Sequence, residues 1–334
     1  MFMIPITYWI AIVFRITMGL DLVERVTMSQ TKVKTLPDAI REFVHDGSSV
    51  SIEGFTHIIP YAAAHEIIRQ KKRHLTVYRM TADIVVDQLI AGDCVDSLTS
   101  SFIGNSSVGS LHELRRRIEG RGRAPLEYHE YSHGGMIARY LAGASGLPFY
   151  PVLSYAGSDL PKVNEDIRVM ESPYDGQKVY VVPPINADVA ILHAQRADTK
   201  GNVQIWGLTG IQQEVAYSAN KVIVTVEELV EDDVITSDPN RTLLPSHVVD
   251  AVVEVPKGAH PSFVQGYYDR DGDFYRQWND ISKDPETLEK WLQEWVHELG
   301  GHQDYVDKQG REFWGQLESP YVPSLPVNYG SRRA

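Results

Sequence analysis

The sequence predicts an α/β fold: a mostly parallel open sheet flanked by helices, interrupted by a loop-rich excursion and followed by a C-terminal helix. Three observations predict it. Short apolar runs alternate with amphipathic segments over the first half, prolines cluster between residues 148 and 184, and a strong helical stripe begins at Leu288. From Thr35 the elements follow in order. Ala39, Ile40, Phe43 and Val44 share one helical face, Gly47 stops that helix, and residues 50–52 start a buried strand. After a glycine loop at Gly54, Pro60 opens a second helix with Ala63, Ala64, Ile67 and Ile68 facing inward, and residues 75–78 form the next strand. A helix is expected near 84–90, a strand near 98–103, and helices near 111–118 and 135–144; this alternation implies parallel strands with helices packed on them.

Pro148, Pro151, Pro161, Pro173, Pro183 and Pro184 then mark an irregular excursion. Strands return at 189–192, 222–226 and 248–255, too apolar to lie at a wet edge. Leu288, Trp291, Leu292, Trp295 and Leu299 sit at i, i+3, i+4, i+7 and i+11 after Asp284-Pro285 and before Gly300-Gly301, the clearest helix in the chain.

The 334 residues carry 32 Lys+Arg against 44 Asp+Glu, a net charge of -12 that argues against nucleic-acid or anionic-membrane partners. With 43% hydrophobic residues the chain can bury a large core. Cys94 is the only cysteine, so neither an internal disulfide nor a multi-cysteine zinc site can form, and a reducing cytoplasm is the expected location. Residues 2–14 are apolar, but Pro5 interrupts them, Arg15 ends them, and they fall short of the ~20 residues a spanning helix needs. Residues 1–28 are therefore read as an apolar extension, either a gene-start artefact or a loose appendage, ahead of one domain over 29–334, with translation expected to start near Met28.

Several motifs fail on spacing. His297 and His302 are five apart with two glycines between them, which suits a capped helix end and not a zinc helix. Asp269, Asp271 and Asp273 are spaced as in a calcium loop, but Phe274 stands where that loop needs glycine and Asp280 where it needs glutamate. No metal is expected. Walker, G-x-S-x-G and G-x-G-x-x-G patterns are absent. Lys71-Lys72-Arg73 and Arg115-Arg116-Arg117 read as solvated helix ends, a phosphate-rich cofactor being the sharper alternative.

One constellation speaks. Asp46-Gly47, the strand to Ile52, Glu53-Gly54-Phe55 and then Pro60 describe a strand entering a tight loop ahead of a helix N-terminus, a setting suited to an anion or developing oxyanion. This stretch resembles the family I CoA-transferase alpha subunits, with Glu53 where that family usually has the first glycine of a pair. Residues 188–198, Gly201-Asn202, Ile205-Trp206-Gly207, residues 224–228, Gly258 to Ser262 and Gly146 to Phe149 resemble the glutaconate CoA-transferase A-subunit branch in particular. Similarity runs from about Lys32 to about Tyr305.

The resemblance implies that CoA is a substrate, that no cofactor is permanently bound, and that a glutamate becomes a glutamyl-CoA thioester. That glutamate would lie on a beta-type partner, in an A2B2 assembly acting on an acyl-CoA and a small dicarboxylic or oxo acid. Catalytic candidates here are Glu53, Glu130 and His133. Glu53 either aims into the crevice or pairs with a base such as His57. Glu130 and His133 lie where a ring-cleaving hydrolase branch uses an acidic residue, and Ser132 reads as a helix cap. Gly54, Phe55, Thr56, His57, Asn105, Ser106 and Gln195 are candidates for substrate or CoA binding, because ligands of α/β sheets gather at strand ends. His193 reads as a satisfied core histidine. A two-subunit CoA-thioester hydrolase on the same frame and a non-catalytic effector-binding module are the alternative functions.

Overall fold

The computed structural model of the chain describes residues 31–105, 108–121 and 124–319. The predicted extension over 1–28 and Ser106 lie outside the described residues. Thr35 caps the first helix, α1 (Leu36–Phe43), by accepting from the Asp38 amide, and its buried Leu36, Ala39 and Ile40 form the stripe that the sequence shows. Strand β1 (Ser49–Ile52), helix α2 (Tyr61–Arg69), strands β2 (Leu75–Tyr78) and β3 (Thr81–Ala82), and helix α3 (Ile84–Ala91) follow. The single strand expected near 98–103 is two, β4 (Val95–Ser100) and β5 (Phe102–Ile103). The break arises because the Ser100 hydroxyl donates to the Phe102 carbonyl at 2.8 Å and β5 turns away to pair with β3.

After α4 (His112–Ile118), β6 (Glu127–Glu130) precedes α5 (His133–Ala144). Periodicity missed β6: its two glutamates are exposed and its middle residues only half-buried, so it carries no apolar run, as suits an edge strand. The proline-rich excursion is also more regular than expected. Its β7 (Tyr150–Val152), β8 (Arg168–Glu171) and β9 (Lys178–Val182) form a separate antiparallel sheet in the order β7-β9-β8. The excursion also holds the short helix α6 (Leu160–Val163), and after the excursion come β10 (Val189–Ala197), β11 (Val203–Gln204), α7 (Gln212–Ser218), β12 (Lys221–Leu229), α8 (Asp232–Ser237), β13 (Thr242–Leu244) and β14 (Ala251–Glu254).

Seven parallel strands run β14-β12-β10-β1-β2-β4-β6, and β11 and β13 join antiparallel beside the end of β10. Strand alternation divides the core: Val189 and Ile191 face one layer with α1 to α3, while Ala190, Leu192 and Ala194 face the other with Met136, Tyr140 and Val215. The predicted C-terminal helix is α10 (Pro285–Leu292) with a wider π turn at Gln293–His297, and a helix that was not predicted, α9 (Gly272–Lys283), precedes it. The extra residue in that turn shifts the stripe's phase, so Val296 is fully buried and Trp295 only partly.

A buried carboxylate pins three helices to one another. Asp87 on α3 accepts from the Leu114 amide of α4 at 2.7 Å and from the Trp278 indole of α9 at 2.9 Å. Burial pushes its pKa up to about 7. Close by, Arg116 bonds Glu113 and the carbonyls of Ser282 and Lys283, and buried Arg117 reaches the Val95 carbonyl. These two cations belong to the fold and not to a solvated helix end. Asp87→Ala leaves two buried donors without an acceptor, at about 1–3 kcal/mol each, so unfolding in urea at pH 6 should show a loss of about 2–6 kcal/mol. A loss under ~0.5 kcal/mol, the scale of an ordinary surface change, would show that the pin holds nothing.

Candidate active-site crevice

Chain order runs outward from β1 in both directions, through β2, β4 and β6 on one side and β10, β12 and β14 on the other. The switch point therefore lies between β1 and β10, and in such sheets ligands enter beyond the strands' C-terminal ends. The loop after β1, from Glu53 to Pro60, occupies that place. Gly54 is required there, because a Cβ would meet the Ile58 carbonyl oxygen at 2.6 Å. Thr56 and Ile58 hold left-handed φ values of 59° and 49°, strained for side chains branched at Cβ. Tertiary bonds keep them there: Ile58 N–H donates to the Phe263 carbonyl at 3.0 Å and Ile59 N–H to the Ser262 hydroxyl at 3.1 Å.

Glu53 is 3% exposed. Its Oε1 accepts from the Met80 amide at 2.5 Å, and its Oε2 lies 3.6 Å from Arg79 Nη1. Burial pushes its pKa up to about 7 against the opposing pull of Arg79. Its ionic partner is thus Arg79, not His57. Arg79 is itself fully buried and donates to the carbonyls of Ile52 at 2.9 Å and Gly54 at 3.0 Å, and to Asp83 at 2.8 Å. Asp83 also caps α3 through the Val85 amide. Sequence reasoning missed Arg79. A buried strand running straight into an arginine, with an aspartate four residues on at a helix cap, was the available signal.

His57 is buried, and its Nε2 accepts from the Gln265 amide at 2.9 Å while Nδ1 stands 3.4 Å from the Leu208 carbonyl. Burial lowers its pKa to about 4, so it is neutral at pH 7. Phe55 is half-buried and Thr56 exposed, which makes them the open part of the loop. The Gln195 amide bonds both backbone groups of Trp206, fastening the chain beside β11. Asn105 is buried, donating to the Tyr275 carbonyl at 2.7 Å. His193 is fully buried between Thr225 and Glu227, each at 2.8 Å, in keeping with a satisfied core histidine.

Glu130 and His133 are exposed, the first ending β6 and the second opening α5 behind the Ser132 cap. Glu130 lines an open hollow of about 520 Å³ with Tyr128, His129 and residues 163–166. Three strand spacings, ~14 Å, separate β6 from β1, so the chain does not bring Glu130 to Glu53. Among the described residues no cluster of three or more His, Cys, Asp or Glu side chains could hold a metal ion, and no helix is long and apolar enough to cross a membrane.

The profile of the family described as Coenzyme A transferase matches residues 33–255. The chain is 47% identical over 277 residues to the A subunit of the 3-oxoadipate CoA-transferase of Pseudomonas knackmussii, covering 83% of this chain and 96% of that one. It is 36% identical over 297 residues to the A subunit of the glutaconate CoA-transferase of Acidaminococcus fermentans, covering 84% and 92% of the two chains. The crystal structure of the glutaconate coenzyme A-transferase from that organism superposes with a TM-score of 0.82 at 35% identity, over 89% of this chain and 98% of that one.

Because burial raises the Glu53 pKa from 4.5 to about 7, the carboxyl's contribution to stability is complete below pH ~4.5 and is lost as pH rises through ~7. Glu53→Gln cannot ionise, so its melting temperature relative to the unsubstituted protein should climb between pH 5 and pH 8. A pH-independent difference would show that the carboxyl titrates as in water.

Proposed function

The chain belongs to the coenzyme A transferase family, and we propose that it is the A subunit of an enzyme moving CoA between an acyl-CoA and a small dicarboxylic or oxo acid. The observation that carries this reading is the 47% identity, over nearly the whole length of both chains, to the A subunit of a 3-oxoadipate CoA-transferase. The crevice supports it: a glycine loop with strained backbone at the switch point, beside a helix N-terminus, is ready-made for a carboxylate or thioester oxyanion.

The nucleophile comes from a beta-type partner, in an A2B2 assembly in the cytoplasm. The partner's glutamate attacks the thioester carbonyl and expels CoA thiolate. The thiolate then attacks the glutamyl carbonyl of the resulting anhydride, releasing the first acid and leaving glutamyl-CoA; the second acid's carboxylate reverses both steps. No permanently bound cofactor takes part. Glu53 is sealed and pinned by Met80 and Arg79, which favours a role in shaping the loop and storing a proton over attack on substrate. Gly54, Phe55 and Thr56 line the acyl pocket, and Asn105 and Ser106 are further candidates for substrate binding. His57 and Gln195 position its walls, and Glu130 and His133 stand at the far rim, where they act on bound acid only as the partner closes the crevice.

The purified chain alone should exchange no CoA, whereas co-expression with a beta-type chain should yield a stable hetero-oligomer that transfers CoA between acids. Robust exchange by the single chain, with a glutamyl-CoA adduct trapped on it, would refute the assignment. Release of free CoA with water as acceptor would place the complex among thioester hydrolases instead.

A further inference from the structure

Arg139 is a guanidinium that the fold fixes and leaves unpaired. It lies on α5, and its side chain runs back toward the N-terminus of that helix, where its guanidinium carbon stands 4.4 Å from the Tyr131 ring centroid and 5.9 Å from that of Tyr78. Nε donates to the Pro183 carbonyl at 3.1 Å. The residue is only 7% exposed, yet among the described residues no carboxylate pairs with it and neither Nη finds an acceptor. Asp166, the nearest acid to Tyr131, takes the tyrosine hydroxyl at 3.2 Å. A largely buried cation without a counter-anion is costly, and its Nη atoms are not sealed from solvent, so the arrangement points to an anion supplied from outside the chain.

The surroundings reinforce the sign. Ser132 caps α5 through the Gly135 amide, and His133 and Gly134, both exposed, present first-turn amides that have no acceptor within the helix. Tyr140, the next residue along α5, bonds Ser51 of β1, and after burial the Glu53 charge is the largest influence raising its hydroxyl pKa. Arg139 and the Glu53 loop therefore open on the same side of the sheet. Tyr78 ends β2 and Tyr131 follows β6, which sets the guanidinium roughly two strand widths, ~10 Å, from that loop.

We propose that Arg139, aided by the first turn of α5, binds the distal carboxylate of the acid whose other carboxylate receives CoA, and so makes the enzyme prefer dicarboxylic acids. The inference rests on the transferase reading above. The planar Nη fork suits bidentate carboxylate recognition. Between the two tyrosine rings that flank it, the fork suits a planar carboxylate better than a tetrahedral phosphoryl group of CoA. The span from the loop matches an acid of four to six carbons.

The test uses the full chain in complex with its partner subunit, with glutarate, butyrate and CoA as calorimetric probes. The unsubstituted complex should bind glutarate at least about tenfold more tightly than butyrate, as expected for a charge-assisted pair. Arg139→Met should abolish that preference while leaving butyrate and CoA binding unchanged, and Arg139→Lys should restore part of it; melting curves establish that each variant is folded. Equal binding of glutarate and butyrate by the unsubstituted complex overturns the proposal without any variant. So does loss of CoA affinity in Arg139→Met in step with glutarate, which would make the site a phosphate clamp. Exchange assays with the same acids are read separately: failure to transfer CoA, with glutarate preference intact, would refute the transferase reading and leave this site standing.

Discussion

Arg79 carries a full charge into the interior at the level where β1 and β2 end, and the crevice is arranged around it. Taking a guanidinium out of water costs several kcal/mol even after relaxation. Here the cost is met by two backbone carbonyls, Ile52 and Gly54, and by the carboxylates of Asp83 and Glu53. Each acceptor lies on a different part of the architecture: the last residue of β1, the glycine of its loop, the cap of α3 and the loop's acid. One side chain thereby fixes the exit direction of β1 relative to α3. The strained φ values at Thr56 and Ile58 are tolerable because this end of the loop cannot relax.

The other end of the loop is held from nearly the opposite end of the chain. The Phe263 carbonyl accepts from the Ile58 amide, the Gln265 amide donates to the His57 ring, and Ala62 N–H at the start of α2 reaches the Gly258 carbonyl. His57, His65 and His302 are all held neutral by burial, with pKa values lowered to about 4, 3 and 4. Their sign is opposite to that of Glu53 and Asp87. The unfolded chain protonates these histidines near pH 6.5 and the folded one does not, so their contribution is full above pH ~6.5 and lost as pH falls through ~4. Stability at mildly acidic pH thus reflects opposed slopes, with acids that favour low pH and histidines that oppose it.

Much of this was legible in the sequence, for identifiable reasons. The helix at Leu36–Phe43 announces itself by a periodic apolar face, while those at Tyr61–Arg69 and Ile84–Ala91, buried nearly all round, and the strands of the buried sheet do so by their apolar runs. The edge strand Glu127–Glu130 did not, since half its surface meets water, and the excursion's antiparallel sheet was hidden by prolines that its short exposed strands accommodate. At the crevice, the Glu53-Gly54 loop was visible as a motif, but its pairing with Arg79 depends on parallel registration of β1 and β2, which no local pattern encodes. Arg139 was invisible for the same reason: within its helix it is one polar residue among apolar ones, and only the tertiary fold shows that it has no acid beside it.

The two arginines together describe how work is divided along the crevice. Both Nη atoms of Arg79 are taken by acceptors of its own chain and the side chain is fully buried, so it confers shape and offers nothing to a ligand. Arg139 is held by two aromatic faces and one carbonyl, contacts that orient a guanidinium without neutralising it. A chain with net charge of -12 would repel dicarboxylates at long range, and at 0.15 M ionic strength that repulsion fades beyond a Debye length of about 8 Å. Recognition then depends on what lies within the crevice, where a recessed cation and a helix N-terminus act in low dielectric and with little screening. With Glu53 neutral for part of its titration, and otherwise paired to Arg79, the crevice presents little fixed negative charge beside the loop. That leaves the loop's end of the crevice open to an incoming carboxylate, which an unpaired acid on this chain would have opposed.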